Sequence, residues 1–145
     1  MIVRTPWSGW APVITKQKMF DNDEFSKWLG IEFLEISAGF CKLKMIVRSE
    51  MTQGFKIAHG GVTYSLADSA LAFASNSHGR MSMSIETSIS HTAKVNVGDA
   101  LIATATENNC TDKIAIYNVE VKNQNEITVA LFKGTVYRTA KEWEL

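Results

Sequence analysis

The spacing of hydrophobic and polar positions changes several times along the chain, and each change marks an element. Residues 1–18 show neither a helical nor a strand period and read as an irregular arm whose Trp7 and Trp10 pack onto the domain. Asp21 or Asn22 is placed to cap a short helix in which Phe25, Trp28 and Leu29 share a face, and Gly30 to end it. Residues 31–38 read as a weakly alternating strand, and Gly39 as a turn. Cys41, Leu43, Met45 and Val47 then alternate with Lys42, Lys44 and Ile46, the signature of a half-buried strand. Residues 49–58, with Gly54, read as a loop.

The segment 62–77 behaves differently. Val62, Leu66, Ala67, Ala70, Leu71, Ala72, Phe73 and Ala74 leave almost no polar face, so this helix is expected to be buried nearly all round. His78 and Gly79 are placed to end it. Four strands follow: 81–90, 101–107, 114–122 and 127–138, joined by short turns at Val97-Gly98-Asp99, 108–113 and 123–126. Strands joined by such turns predict an antiparallel sheet, and the apolar helix must be wrapped by it, giving an α+β domain over 20–145 with 1–19 as its arm. A single sheet curled round one helix leaves strand edges to cover, which predicts a homo-oligomer.

Composition narrows the classes. The 145 residues are 46% hydrophobic, with 15 basic residues against 15 acidic ones. That balance argues against nucleic-acid partners and against an electrostatic membrane anchor. No apolar run reaches the ~18 residues of a membrane-spanning helix, and Trp7, Trp10 and Pro12 interrupt any signal-peptide core. Cys41 and Cys110 are too few for a disulfide framework or a zinc site, so a cytoplasmic setting is expected.

The chemistry concentrates around the buried helix. Gly60 and Gly61 open it, where glycine lets a ligand approach the backbone and where unpaired N–H groups can stabilise an oxyanion; tight packing of the turn would also explain them. Asp68 is the only ionisable side chain between His59 and His78. A carboxylate there bonds Ser65 or Ser69, pairs across an interface, or sits in an apolar pocket as a general base or nucleophile. Gly60 and Asp68 are eight residues apart, about 12 Å of rise, whereas both must come within roughly 3 Å of one reacting carbonyl. If both act on it, they come from two copies of the chain, and the site lies at a dimer interface.

From His59-Gly60-Gly61 through Leu66-Ala67-Asp68-Ser69 to His78-Gly79, the chain resembles hot-dog-fold thioesterases of the phenylacetate-degradation (PaaI) type. The resemblance continues through Val97-Gly98-Asp99 and the stretch 129–134, covering about residues 20–138. It implies an antiparallel sheet wrapped round a long central helix, and hydrolysis of acyl-coenzyme A thioesters, with aryl-acetyl or hydroxyphenylacetyl groups as the first expectation. By the family pattern Gly60 offers its N–H to the thioester carbonyl, and Asp68 of the neighbouring chain activates water or attacks directly. Gln53 stands where the family places an amide, usually Asn, and Ser69 where it more often has Thr, read here as support for Asp68. His59, Gly61, Ser69 and Asn76 are the candidate substrate contacts within the motif. Arg80, Lys94 and Lys56 are candidates for the phosphates of coenzyme A. The family tends toward a dimer of dimers.

No cofactor is called for, coenzyme A being part of the substrate. A thiol with a pKa of about 8.5 leaves as thiolate without a strong acid, so an oxyanion donor and one carboxylate suffice without a metal. His59 reads as structural at the helix entry, and His78 and His91 as capping or surface residues. No serine lies in a nucleophile elbow, which disfavours a Ser-His-Asp hydrolase. The alternative is a non-catalytic acyl-CoA binding or sensing module on the same fold. A dehydratase ranks last, for want of a carboxylate–histidine pair near Asp68.

Overall fold

The computed structural model describes residues 9–145. Two short hydrophobic strands, β1 (Glu32–Ser37) and β2 (Phe40–Ile46), precede the long helix α2 (Gly60–Asn76). Four longer strands follow: β3 (Arg80–His91), β4 (Ala100–Cys110), β5 (Ile114–Lys122) and β6 (Thr128–Glu142). All pair antiparallel in one sheet of order β1-β2-β4-β5-β6-β3, as the short turns require. The sheet wraps α2, which packs on β2, β3, β4, β5 and β6. The expected hot-dog architecture is therefore present.

The strand pattern explains the wrap. Cys41, Leu43, Met45 and Val47 of the β2 segment are buried, as are Leu101, Ala103 and Ala105 of β4 and Ala115, Tyr117, Val119 and Val121 of β5. Against them α2 buries Leu66, Ala67, Ala70, Leu71, Phe73 and Ala74. Alanines on both surfaces let helix and sheet approach closely. At Gly134 in β6 the approach leaves no room for any side chain: a Cβ would overlap Leu71 Cδ2 and stand 2.9 Å from Cδ1.

The N-terminal half corrects three expectations. The arm is not irregular: from Val13 to Met19 it forms a wide, π-helical turn, followed by a 3-10 turn over Phe20–Asn22. It buries Ala11, Ile14 and Thr15, which is why it folds without a clean helical period: only its inner positions are apolar. Trp10 is 43% exposed rather than packed, and Trp7 lies outside the described residues. The cap of the short helix α1 (Glu24–Leu29) is Asp23, whose carboxylate accepts from Ser26 N–H, rather than Asp21 or Asn22. Phe25 and Trp28 stack on each other on its exposed side, and of the three apolar residues expected to share a face only Leu29 is buried. Gly30 ends α1 at φ 74°, as expected, and Arg48 closes its last carbonyls at Trp28 and Leu29. Among the described residues no helix is long and apolar enough to cross a membrane.

The Gly134–Leu71 contact carries a prediction. Gly134→Ala is expected to destabilise the fold by about 1–3 kcal/mol through overpacking, and less when Leu71 has first been cut to Ala. Urea unfolding of the two single variants and the double variant checks it; equal penalties in both backgrounds would refute the contact.

Candidate active site

The entry to α2 is built by a short hairpin-like loop. Thr52 and Ala58 form an isolated bridge, and Gln53 closes the loop with backbone bonds to Ile57 and Lys56 of 2.9 Å each. Gln53 Oε1 accepts from Phe55 N–H, so its amide is held by the loop itself. His59 follows in extended conformation (φ −62°, ψ 136°) as the N-cap. Its Nδ1 accepts from Gly61 N–H at 2.9 Å, and its carbonyl accepts from Val62 N–H. The Nδ1 lone pair is thus used, which leaves the ring proton on Nε2. Two of the first three N–H groups of α2 are consumed in this way. Among the described residues, that of Gly60 has no partner. A Cβ at Gly60 would stand 3.1 Å from His91 Nε2, so a side chain there requires the exposed His91 ring to give way.

Asp68 lies two turns further along the same helix, half-buried, and none of the hydrogen bonds among the described residues involves it. Neither Ser65 nor Ser69 satisfies it: Ser65 bonds back to the Gly61 carbonyl, and Ser69 meets Ser26 Oγ at 2.8 Å. Burial raises the Asp68 pKa above the ordinary Asp value, and the charge of Asp23 adds to the rise. Ser69, read as support for Asp68, makes no hydrogen bond to it among the described residues. It belongs to a chain Asp23–Ser26–Ser69 that pins α1 to α2.

Asp68 opens into a cavity of about 390 Å³, lined mainly by Met19, Leu71, Ala72, Met81, Met83 and Trp143. Asn76 reaches this cavity too, but its polar atoms are spent: Nδ2 donates to the Ala72 and Ser82 carbonyls, and Oδ1 accepts from Ser82 N–H and Trp143 Nε1–H. It clamps the cavity wall rather than presenting a free amide. Arg80 is likewise committed, to Asp112 and to the carbonyls of Thr139 and Arg138. The structure uses it to tie β3 to the ends of β5 and β6, not to line the Asp68 cavity. Lys94 is exposed in the loop after β3, beside the α2 entry, since Ala58 N–H donates to the neighbouring Val95 carbonyl at 2.8 Å. Lys56 is exposed in the loop before His59.

Three groups at the site escaped sequence reasoning. His91 is exposed, as expected, but it also lies against Gly60, a contact that the fold makes between the end of β3 and the start of α2. Met19 and Trp143 come from the two ends of the chain, and nothing local marks them as cavity residues.

The raised Asp68 pKa has a testable consequence for stability. The folded state holds this proton more tightly than the unfolded chain, so the group's contribution falls as pH climbs from the ordinary Asp value through the raised one. Asp68→Asn is therefore expected to melt higher than the native chain at neutral pH, with the gap closing in acid. Equal Tm values at neutral pH would show that the carboxylate bears no burial cost.

Comparison with known proteins agrees with this geometry. The family model described as Thioesterase superfamily matches residues 55–130, the stretch that carries the α2 entry, Asp68 and β3 to β5. The acyl-coenzyme A thioesterase PaaI of Escherichia coli is 37% identical over 120 residues, 83% of this chain and 86% of that one. The solved structure of the E. coli PaaI protein from the phenylacetic acid degradation operon superposes with a TM-score of 0.89 at 34% identity, covering 94% of this chain and 98% of that one. A mutant of the phenylacetic acid degradation protein PaaI of Thermus thermophilus gives 0.78 at 35% identity, over 81% of this chain and 100% of that one. These matches run along most of the sequence, and the chain belongs to the thioesterase superfamily, as a hot-dog-fold thioesterase of the PaaI type.

Proposed function

We propose that the chain hydrolyses acyl-coenzyme A thioesters with aryl-acetyl-like acyl groups, at two sites shared between the subunits of a dimer. The observation that carries this reading is the pair of unengaged groups on one helix: the Gly60 N–H at its start and the Asp68 carboxylate two turns on. About 12 Å of helix separates them, so one chain cannot apply both to one carbonyl.

The edge strand supports the remedy. Among the described residues β3 ends the sheet with nothing paired on its outer side, and Met83 and Ile85 on it are 66% and 60% exposed. Such an edge invites a second copy. A two-fold pairing β3 with itself about its midpoint, between Ile85 and Glu86, sets Met81 and Met83 opposite the partner subunit's Ser90 and the partner subunit's Ser88. The Asp68 cavity is lined by that first pair, and His91, next along the strand, lies on Gly60. The offset along one helix is thereby cancelled: Asp68 of one subunit comes level with the partner subunit's Gly60.

In such a site the chemistry follows directly. The Gly60 N–H, at the positive end of the helix dipole, holds the carbonyl oxygen as it gains charge. Asp68, made more basic by burial, takes a proton from water whose oxygen attacks the carbonyl carbon. The tetrahedral intermediate collapses and expels coenzyme A as thiolate. The apolar cavity beside Asp68 takes the acyl group, and its methionines and Trp143 suit a flat aromatic ring. Lys94, exposed beside the helix entry, is placed to meet phosphate.

Two experiments test the proposal. Thiol release from aryl-acetyl and straight-chain acyl-CoAs is expected to favour the former and to fall roughly a hundredfold or more in Asp68→Asn. Full activity in that variant would overturn the assignment, and tight binding without release would establish a binding module instead. The second test separates the two groups. Gly60→Pro removes the N–H at a position where proline is tolerated, preceded by an extended His59 that suits it, while Gly60→Ala keeps the N–H and controls for crowding against His91. Gly60→Pro and Asp68→Asn homo-oligomers are each expected to be inactive, and their mixed dimers to regain about half a native site complement. No recovery on mixing would place both groups in one subunit's site.

A further inference from the structure

A second cluster of reactive side chains lies beyond the far end of α2 and takes no part in the chemistry above. His78, in the turn after α2, meets Glu107 of β4 with Nε2 to Oε1 at 2.9 Å. Cys110, the last residue of β4, completes the group: one ligand atom from each of the three lies within 4.8 Å of the others.

The strand is shaped to bring the last two together. Residues three apart on a regular strand face opposite sides of the sheet. In β4 the register with β5 shifts between Glu107 and Asn109, so that Glu107 opposes Tyr117 and Cys110 opposes Ala115, both buried positions on the helix side. The extra residue is a β-bulge, and it returns the thiol to the face that carries the carboxylate. The rest of the surroundings hold the set in place. Tyr117 donates from its hydroxyl to Glu107 Oε1 at 3.1 Å, fixing the carboxylate from the protein side. Gly39, at φ 75°, lets the β1–β2 turn close over the group, since a Cβ there would stand 3.0 Å from both His78 Nε2 and Glu107 Oε2. Its N–H is anchored to Ser77 Oγ at 2.8 Å, which locks that turn to the end of α2. The neighbouring cations are engaged elsewhere, Arg80 with Asp112 and Arg138 with the Thr111 carbonyl. Cys110 is exposed, so one side of the cluster is open to solvent.

We infer that His78, Glu107 and Cys110 bind one zinc-class divalent cation, with the fourth position open to water. Imidazole nitrogen, carboxylate oxygen and thiolate sulfur converging from three directions are the donor set of a borderline-soft ion, and the mixture disfavours magnesium or calcium. Binding releases the Cys110 thiol proton to solvent and moves the His78 proton to Nδ1, so that Nε2 exchanges its bond to Glu107 for the metal. Tyr117 is then a positioning residue, holding the ligating carboxylate. The ion would staple the end of α2 to the end of β4, leaving the thioesterase site untouched.

Cobalt titration of the full-length, chelator-treated protein tests this. One equivalent of Co²⁺ per chain is expected to raise a thiolate-to-cobalt charge-transfer band that Zn²⁺ abolishes. The band should be absent in Cys110→Ser and retained in Cys41→Ala, which removes the other, buried cysteine. His78→Ala and Glu107→Gln should weaken binding at least tenfold, and Tyr117→Phe roughly 10–100-fold. Zn²⁺ should raise the Tm of the native chain but not of Cys110→Ser. No charge-transfer band, a band that survives Cys110→Ser, or equal zinc affinity in the two proteins would mean an adventitious cation only and would overturn the assignment. Thiol release from acyl-CoA is read in parallel. Its retention in Cys110→Ser keeps the outcome independent of the catalytic proposal.

Discussion

A helix that is apolar on nearly every side cannot rest on one surface, and this constraint organises the rest of the chain. α2 buries Phe73, Leu66 and Leu71 over an arc of about 160°, so the sheet has to curl around it rather than lie against it. The curl is possible because β4 and β5 present small and β-branched residues inward, and because Gly134 removes the one side chain that would meet Leu71. The N-terminal turns close part of what the sheet leaves open, with Phe20 edge-on to Phe33 and Phe73 at 5.4 and 6.3 Å and Phe33 tilted on Phe73 at 4.9 Å. Wrapping one helix with one sheet also leaves β3 as a long outer edge with exposed apolar residues. The same constraint that makes the core therefore makes the surface on which a second copy would sit.

The burial of α2 also sets the chemistry available on it. A carboxylate placed in such a helix loses hydration, and Asp68 gains no hydrogen bond in exchange, so it is held above its ordinary pKa. A structural Asp would be expected to recruit one of the hydroxyls beside it. Both serines instead turn elsewhere, Ser65 to its own helix and Ser69 to the cap of α1. Their hydroxyls stabilise the scaffold while leaving the carboxylate unquenched, an arrangement that favours reactivity over stability.

Much of this was legible from the residues. The alternation in the β2 to β6 segments, the glycine at the end of α1 and the unbroken apolar content of α2 are local signals, and the elements they predict are present. The eight-residue spacing of Gly60 and Asp68 likewise needs only helix geometry. What was illegible depends on contacts distant in sequence. Ser69 reads as support for Asp68 from its place in the family motif, but adjacent residues on a helix point about 100° apart, and Ser69 meets Ser26 of α1. Arg80 and Asn76 read as available because most of their partners, Asp112, Arg138 and Thr139 for the one and Ser82 and Trp143 for the other, are brought to them only by the fold. Asp23 displaced Asp21 and Asn22 as cap because the preceding 3-10 turn takes up those two residues, a detail without a periodic signature.

The way α2 begins decides which backbone group is left for a substrate. Four N–H groups at any helix start lack helical partners, and an ordinary side-chain cap satisfies whichever it reaches. Here His59 fills that role with Nδ1, taking the Gly61 N–H, and its carbonyl takes that of Val62. Among the described residues the Gly60 N–H is left bare, at a residue with no side chain to screen it and with the His91 ring 3.1 Å from where a Cβ would stand. A Ser or Asp cap would satisfy the same donors, but a neutral imidazole adds no charge beside a developing oxyanion, whereas an Asp would oppose it. In the proposed site the histidine that precedes the two glycines therefore serves the oxyanion without touching the substrate: among the described residues it leaves only the Gly60 N–H of the first turn free, and does so without negative charge.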